Sequence, residues 1–374
     1  MGSLGAGVRA GRLVNALAAP ALVEQAEWLT DFVPRRWLRN GHLQTLAGNF
    51  LPRRVSLPEP EPLLVEVEGP VSGYGPSQVL CHCHWQPREL RSRRLTVVLV
   101  HGLEGSSDSK YIVGNTARSL ARGLNVVRMN MRTCGGTDHL SPTIYHSGRS
   151  GDMGRVFDAI VRQQQLEAVA LIGYSMGANL VLRWAGEVAA NPPRQLKAVV
   201  GVSPLMDLTV SSAALHLPRN RAYEWHFLRS MIARVRRRMV LYPGIYADAR
   251  LDRIHSMRDF DQHIVARYGG FADADDYYVS VASSKYAASL RVPTLIVHAL
   301  DDPFIRMLPE TRGALIGNPY VTFLETRHGG HCAFLAAPTS RNSDGRWAEA
   351  TLLGFLTQDG AGLTSEGRKA AHGS

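Results

Sequence analysis

The stretch "AVALIGYSMGANL", residues 168–180, decides the fold of this chain. Its first five residues are apolar without alternation, which predicts a strand buried on both faces. From Met176 onward the pattern is helical. Between the two lies Gly173-Tyr174-Ser175-Met176-Gly177, the pattern Gly-x-Ser-x-Gly on a tight strand-to-helix turn. Side chains larger than glycine would collide at the positions two before and two after the serine. Because the turn lifts the Ser175 hydroxyl from the sheet to a helix N-terminus, where the dipole favours developing negative charge, we interpret Ser175 as a nucleophile.

Apolar runs of four to six residues recur along the rest of the chain, and helical patterns separate most of them. This alternation predicts an α/β fold with a mostly parallel central sheet that helices flank on both sides. Besides the run at Ala168, strands are predicted to begin near Leu95, Asn125, Lys197, Pro293 and Tyr320.

The distribution of these runs predicts the domain organisation. Residues 1–60 are rich in Pro and Arg and form a lead-in segment. Residues 61–204 and 291–357 carry the two parts of the α/β core. Residues 205–290 contain no buried-strand pattern, so we interpret them as an inserted helical cap. The Gly- and Ser-rich residues 358–374 predict a disordered tail.

A serine hydroxyl becomes a good nucleophile only when a base takes its proton and an acid orients that base. In an open parallel sheet, such residues follow the carboxyl ends of strands. Asp301 and Asp302 follow one predicted strand, and "RHGGHCAF", residues 327–334, follows the next. Together with Ser175 they occur in the chain order Ser, Asp, His, which hydrolases with this type of turn use.

Two aspartates and two histidines compete for these roles. Asp302 directly precedes a proline, which biases its backbone towards an extended geometry, so we choose Asp302 as the acid. Asp301 is then a solvated loop residue or a turn cap. A pair of glycines directly before His331 supplies flexible backbone, so we choose His331 as the base. His328 is then a structural or loop-bonding residue.

An oxyanion hole requires two backbone N–H groups aimed at the developing negative charge. We assign one to Met176, which follows the nucleophile, and the other to Leu103, in the loop after the strand near Leu95. Gly102 allows the backbone to approach closely. His101 is expected to form hydrogen bonds within that loop.

The histidines also allow a different reading, a zinc site formed by His328, His331 and Cys332. Such a site would need further ligands, and "CHCHW", residues 81–85, is the obvious source. That stretch alternates as a strand with two faces would, and we therefore expect no metal and no cofactor. Four cysteines in 374 residues do not indicate a disulfide scaffold.

Charge and hydropathy limit the possible partners. The net charge of +10 favours anionic surfaces, yet no nucleic-acid-binding module is recognisable, so nucleic acid is not expected as a partner. No apolar run is long enough to span a membrane. One predicted cap helix has Trp225 in its apolar stripe, and its arginines, Arg234 and Arg238 among them, on or near its polar side. This polar face is either simply solvated or in contact with anionic lipid. We expect a cytoplasmic protein, and peripheral association with a membrane is the alternative that the sequence leaves open.

Several blocks resemble, in order, those of the YheT-like branch of the α/β-hydrolase superfamily, which includes lipid hydrolases and medium-chain ester synthases. The blocks are "NGHLQTL" from residue 40, "HGLEGSSDSKY" from 101, "NMRTCGGTD" from 130, "GYSMGANL" from 173, "DYYVSVAS" from 276, "VPTLIVHALDDPF" from 292 and "HGGHCAF" from 328. The resemblance covers about residues 30–355. It implies a serine hydrolase of carboxylic esters with Ser175, Asp302 and His331 as its triad.

These observations predict a serine esterase that acts on short- or medium-chain acyl esters or on acylglycerol-type lipids. The same residues would also serve an acyltransferase or a thioesterase, and a non-catalytic binder with this fold is the alternative of a different class. Asn40, His42 and Gln44 are expected to line the entrance of the site.

Overall fold

The computed structural model describes residues 28–339 and 342–357. It contains an eight-stranded sheet with the strand order β1-β2-β4-β3-β5-β6-β7-β8. The strands are β1 (Glu61–Glu68), β2 (Ser77–His84), β3 (Thr96–Val100), β4 (Asn125–Met129), β5 (Val169–Tyr174), β6 (Leu196–Val202), β7 (Thr294–Ala299) and β8 (Val321–Thr326). The tail predicted over residues 358–374 and the first part of the lead-in, residues 1–27, lie outside the described residues.

The sheet is mostly parallel, as the sequence predicts. Strands β3 to β8 pair in parallel, whereas β1 pairs with β2, and β2 with β4, in antiparallel fashion. Every residue of β3, β4, β5 and β7 is buried, which explains why these strands read as unbroken apolar runs. The predicted α/β fold with its mostly parallel sheet is confirmed.

Helices cover both faces of the sheet and fill the connection between β6 and β7. They are α1 (Gly41–Phe50), α2 (Arg88–Arg91), α3 (Lys110–Leu120), α4 (Ser150–Gln164), α5 (Met176–Glu187), α6 (Leu208–Leu215), α7 (Arg221–Leu241), α8 (Pro243–Tyr246), α9 (Met257–Phe260), α10 (Arg267–Gly269), α11 (Ala274–Val281), α12 (Pro309–Ile316) and α13 (Trp347–Thr357). A π-helical turn, Asp261–Ala266, links α9 to α10.

The helices α6 to α11 form a layer above the carboxyl ends of the strands, and their buried apolar cluster also includes Ile144, Phe304 and Ile305 from the loops after β4 and β7. Within this layer, helix α7 is oriented differently from the orientation that its sequence predicts. Trp225 is exposed, although its spacing places it in the apolar stripe. Arg234 pairs with Glu104 inside the protein, and Arg238 is fully buried, with its guanidinium donating a hydrogen bond to the carbonyl of Ser141. Two of the arginines expected on or near the polar side therefore face inward, because the loop after β4 packs over that side.

Candidate active site

The turn between β5 and α5 holds Ser175 in a backbone conformation that few residues adopt. Its φ of 54° and ψ of −116° lie outside the regions that L-residues prefer. A Cβ atom at Gly173 would lie 2.3 Å from the carbonyl oxygen of Gly177, and one at Gly177 would lie 2.3 Å from that of His101. Glycine is therefore required on both sides of the serine, and the turn projects Ser175 from the end of β5.

His331 lies in the loop after β8 and is oriented by an aspartate from the loop after β7. Its Nδ1 is 2.8 Å from Oδ2 of Asp302. The other carboxylate oxygen of Asp302 accepts hydrogen bonds from the backbone N–H groups of Phe304 and Ile305, at 3.1 and 2.9 Å. A buried carboxylate with both oxygens engaged cannot rotate freely, so it fixes the orientation of the imidazole.

The electrostatics of this pair favour the charged forms. Burial disfavours the imidazolium of His331, but the Cys332 sulfur and the Asp302 carboxylate favour it more strongly and raise the pKa of His331 above its usual value. Burial likewise disfavours the carboxylate of Asp302, yet the charge and hydrogen bond of His331 outweigh it and lower the pKa of Asp302. The Nε2 atom of His331, on the other side of the ring from Asp302, lies within hydrogen-bonding distance of the Cys332 sulfur at 3.6 Å.

The second aspartate and histidine form a separate pair in the same loops. Nδ1 of His328 is 3.4 Å from Oδ2 of Asp301, and Oδ1 of Asp301 accepts a hydrogen bond from the N–H of Gly330 at 2.9 Å. Asp301 is therefore not a solvated loop residue, because it is half-buried and ties two loops together. His328 lies apart from the cavity that His331 lines.

Helix α1, from the lead-in segment, supports the histidine loop. The hydroxyl of Thr45 accepts a hydrogen bond from the N–H of His331 at 2.8 Å. The buried side chain of Gln44 donates to the carbonyls of Leu38 and Leu335 and accepts from the N–H of Leu335. Glycine is required at Gly41, where a Cβ atom would lie 1.8 Å from the carbonyl oxygen of Asp301.

Sequence reasoning missed this support, although it singled out the segment. Of the three residues expected at the entrance, only His42 lines the cavity. Asn40 caps α1 by accepting hydrogen bonds from the N–H groups of His42 and Leu43. Gln44 points away from the entrance into the contact with the histidine loop. A buried glutamine side chain has no periodic signature, so only the tertiary contact shows its role.

The loop after β3 contributes Gly102 and Leu103. Among the described residues, the N–H of Leu103 has no hydrogen-bond partner, and the N–H of Met176 is one of the free donors at the start of α5. A Cβ atom at Gly102 would lie 3.1 Å from Cβ of Ser175, so this backbone passes close to the serine. His101 accepts a hydrogen bond from the N–H of Met131, and its other nitrogen faces the Gly102 carbonyl, so it supports the loop from below.

Glu104 connects this loop to the cap. Its φ is 56°, and its carboxylate accepts hydrogen bonds from Tyr145, Ser230 and Arg234. Burial opposes ionisation, but the charge of Arg234 and the hydroxyl donors outweigh it and lower the pKa of Glu104. Because Ser230 and Arg234 belong to α7, the position of the cap is coupled to the residue that follows Leu103.

A cavity of about 890 Å³ opens over these groups. Ser175, His331, Leu103 and Met176 line it, and Asp302 lies behind His331. Its remaining walls are largely apolar and come from α1, α6, α7 and the loop after β7. The volume and lining suit a ligand with an extended apolar part.

Asp261, on the cap side, is one of four acidic residues that line the cavity, with Glu104, Asp108 and Glu349. It accepts a hydrogen bond from the hydroxyl of Tyr278 at 2.6 Å. Burial raises the pKa of Asp261 to about 7. The cap side of the cavity is therefore not wholly apolar.

The alternative zinc site has no counterpart within residues 28–339 and 342–357. No group of three or more His, Cys, Asp or Glu side chains there is arranged to hold a metal ion. Cys81 and Cys83 are buried in β2, within the core of the sheet, and Cys332 lines the cavity. None of the helices within the described residues combines the length and the hydropathy that a membrane span requires.

Comparison with known proteins adds to this geometry. Residues 96–338 match the family model of the alpha/beta hydrolase fold. The chain belongs to this family. The matched range includes Ser175, Asp302 and His331, which lie at the ends of β5, β7 and β8.

Within this family the chain is similar to YheT-like proteins. It is 29% identical over 333 residues to YheT of Escherichia coli (strain K12), a candidate esterase by name, with 87% of this chain and 93% of YheT covered. It is 26% identical to phospholipase ABHD3 of Bos taurus, covering 67% and 61% of the two chains, and 24% identical to the monoacylglycerol lipase of Saccharomyces cerevisiae (strain ATCC 204508 / S288c), covering 70% and 58%. The structure of a 2,6-dihydroxy-pseudo-oxynicotine hydrolase, with a TM-score of 0.50 and 15% identity, covers 85% of this chain and 72% of its own, and it shares the fold.

Proposed function

We propose that this α/β hydrolase cleaves carboxylic esters, either short- or medium-chain acyl esters or acylglycerol-type lipids, through Ser175, His331 and Asp302. The observation that carries the proposal is the cavity that both Ser175 and His331 line, with Asp302 bonded to Nδ1 of the imidazole. The similarity to proteins named as an esterase, a phospholipase and a lipase supports hydrolysis of an ester.

The mechanism follows from the chemistry of these groups. Nε2 of His331 takes the proton of the Ser175 hydroxyl as the serine oxygen attacks the ester carbonyl carbon. The carbonyl oxygen becomes an oxyanion, and the N–H groups of Leu103 and Met176 donate hydrogen bonds to it. The imidazolium then gives its proton to the leaving alcohol, and an acyl-enzyme forms. Water, deprotonated by the same histidine, attacks the acyl carbon and releases the acid.

Each supporting contact has a physical role in that cycle. The carboxylate of Asp302 holds the proton of His331 on Nδ1, so that Nε2 is the basic nitrogen, and it stabilises the transient imidazolium. The strained backbone of Ser175 costs about 1–3 kcal/mol, which the surrounding sheet and glycines sustain. The largely apolar walls of the cavity suit the acyl chain.

The test compares the hydrolysis of p-nitrophenyl esters of increasing acyl length by the wild type and by Ser175→Ala. We expect kcat to fall by about 10⁴-fold or more in Ser175→Ala, and the acyl length of the best wild-type substrate to report the length of the cavity. Ser56→Ala, at an exposed serine outside the cavity, is the control and should retain full activity. Equal activity of Ser175→Ala and the wild type would refute the proposed nucleophile.

A further inference from the structure

The mouth of the cavity is flanked by exposed apolar side chains from two helices. On α1, Leu43, Leu46 and Phe50 follow one helical face and are 50%, 41% and 71% exposed. On α7, Trp225 is 62% exposed. The side chains of Leu46, Phe50 and Trp225 also line the cavity, so the exposed apolar surface continues into it.

The two helices form one continuous rim. The ring of His42, on α1, stacks on the ring of Tyr223, on α7, with 5.7 Å between their centroids. Single exposed apolar residues are ordinary on a protein surface, whereas a group of large ones around an opening indicates an interaction site. We refer to Leu43, Leu46, Phe50 and Trp225 as the mouth cluster.

The chain on either side of α1 is basic, although the exposed Asp108 also lines the cavity. From residue 32 to residue 58 the chain has five arginines and no acidic residue, and Arg36, Arg39 and Arg54 of these are exposed. Arg219 lines the cavity near its opening, and Arg229 lies over the ring of Trp225 at 5.4 Å.

Helix α7 and the residues before it carry few acidic groups that could offset the positive charge of these arginines. From residue 208 to residue 229 the only acidic residue is Glu224, and its carboxylate accepts a hydrogen bond from the N–H of Met257. An apolar patch surrounded by arginines is complementary to one type of surface in particular, a lipid layer with anionic head groups.

A second basic region is an alternative site for contact with an anionic lipid layer. Arg236, Arg237 and the exposed Val240 lie near the C-terminal end of α7. Val240 is 15 positions beyond Trp225, or about 22 Å along the helix axis. Arg237 is already paired with Asp138 at 3.1 Å. This end does not adjoin the cavity, so it offers no route for a substrate.

We propose that the mouth cluster docks on an anionic lipid surface, with Leu43, Phe50 and Trp225 entering the interfacial layer and the arginines contacting lipid phosphates. An acyl chain then passes from the lipid layer into the cavity along a continuous apolar surface. The transfer of an acyl chain into the cavity rests on the proposed function, because that transfer assumes a lipid ester as the substrate. The docking itself does not depend on any catalytic residue.

Binding is measured by co-sedimentation of the full chain, carrying Ser175→Ala, with vesicles of phosphatidylcholine and with vesicles that also contain phosphatidylglycerol. We expect binding to the anionic vesicles, and we expect it to weaken as the salt concentration rises. In the same background, Leu43→Glu and Phe50→Glu should each weaken binding by about tenfold or more, because a charged group would have to enter the interfacial layer. Arg39→Ala should weaken it by about fivefold.

The matched controls are Val240→Glu and Val279→Glu, which change equally exposed apolar residues elsewhere on the helices of the cap. Both should bind as the parent does, and circular dichroism with thermal melting checks that every variant is folded. Absence of vesicle binding, equal loss in the control variants, or loss only on Arg236→Glu or Arg237→Glu would overturn the proposal. So would a soluble dimer that Phe50→Glu dissociates, because a second copy would then occupy the rim.

Failure of this proposal is distinguishable from failure of the proposed function. Vesicle binding is measured on protein that lacks the Ser175 hydroxyl, whereas ester cleavage is measured with the wild type and a water-soluble p-nitrophenyl ester. Docking without cleavage would refute the hydrolase mechanism alone, and cleavage without docking would refute the lipid surface alone.

Discussion

The serine turn and the histidine loop are built in opposite ways. The turn is specified by adjacent residues, because Gly173, Ser175 and Gly177 belong to one strand–turn–helix unit. The histidine loop is held by α1, whose Thr45 and Gln44 lie 286 and 291 positions from their partners His331 and Leu335. The proposed nucleophile can therefore be recognised locally, whereas the position of its proposed base depends on a distant segment.

This difference also separates the consequences of mutation. We expect damage to the turn to change the proposed nucleophile directly, and damage to α1 to change the placement of His331 while leaving Ser175 in place. The following predictions test that separation, starting with the largest expected effect.

Asp302→Asn should lower kcat by about 10⁴-fold, because the amide no longer holds the proton of His331 on Nδ1. Activity requires the neutral imidazole, and Asp302 raises the pKa of His331, so wild-type kcat/KM should fall as the pH decreases through a pKa above the usual value of about 6.5. Loss of the carboxylate should move this acid limb of the remaining activity to lower pH. The measurement is kcat/KM for a p-nitrophenyl ester as a function of pH.

Asp301→Asn is the matched control for that experiment. The amide keeps an oxygen that can accept the hydrogen bond of the Gly330 N–H, and its loss of charge affects His328 rather than His331. We expect at most about a tenfold decrease in kcat and no shift of the acid limb. If Asp301→Asn were the more damaging change, the acid would have been assigned to the wrong residue.

Gln44→Ala should lower the free energy of unfolding by about 3 kcal/mol, because it leaves buried backbone groups of Leu38 and Leu335 without partners. It should also lower kcat by about tenfold or more, since a small displacement of the base weakens proton transfer. Chemical denaturation and steady-state kinetics measure the two effects.

Because the serine turn and the histidine loop are held by different contacts, a further result is expected for Gln44→Ala. A fluorophosphonate of low reactivity needs the proposed base His331 as well as Ser175, whereas we expect the fold of the β5–α5 turn not to depend on α1. The labelling rate should therefore fall with kcat, while hydrogen exchange over residues 169–187 remains that of the wild type. Gln163→Ala, at an exposed glutamine on α4, should leave all these quantities unchanged.

Glu104→Gln should have the smallest effect, a decrease in kcat of about three- to tenfold with a smaller change in KM. The carboxylate accepts hydrogen bonds from Ser230 and Arg234 of the cap, and its neutral replacement loosens the backbone that follows Leu103. Its lowered pKa means that the wild type gains stability from ionised Glu104 above its unfolded pKa and loses it as the pH falls.

The control for this prediction is Glu167→Gln, at an exposed glutamate. An unchanged kcat in Glu104→Gln, together with an unchanged melting temperature, would show that the cap and the oxyanion loop are not coupled through this carboxylate.

The sequence by itself determined the mostly parallel sheet and the turn that carries Ser175. Both depend on short-range physics, since buried parallel strands need continuous apolar runs and a tight turn needs glycine where a Cβ would collide. The chain order of Ser175, Asp302 and His331 could be read for the same reason, because each residue follows the end of a strand. The resemblance of separate blocks to one family pointed to the same residues.

Only the tertiary structure decided which distant groups meet. The bonds of Gln44 and Thr45 to the histidine loop, the tether of Glu104 to α7 and the half-buried pair of Asp301 with His328 join elements that are remote in the chain. The inward orientation of two α7 arginines is a further example. Such contacts depend on how layers pack, and helical periodicity shows only that a helix has two faces, not what lies against each of them.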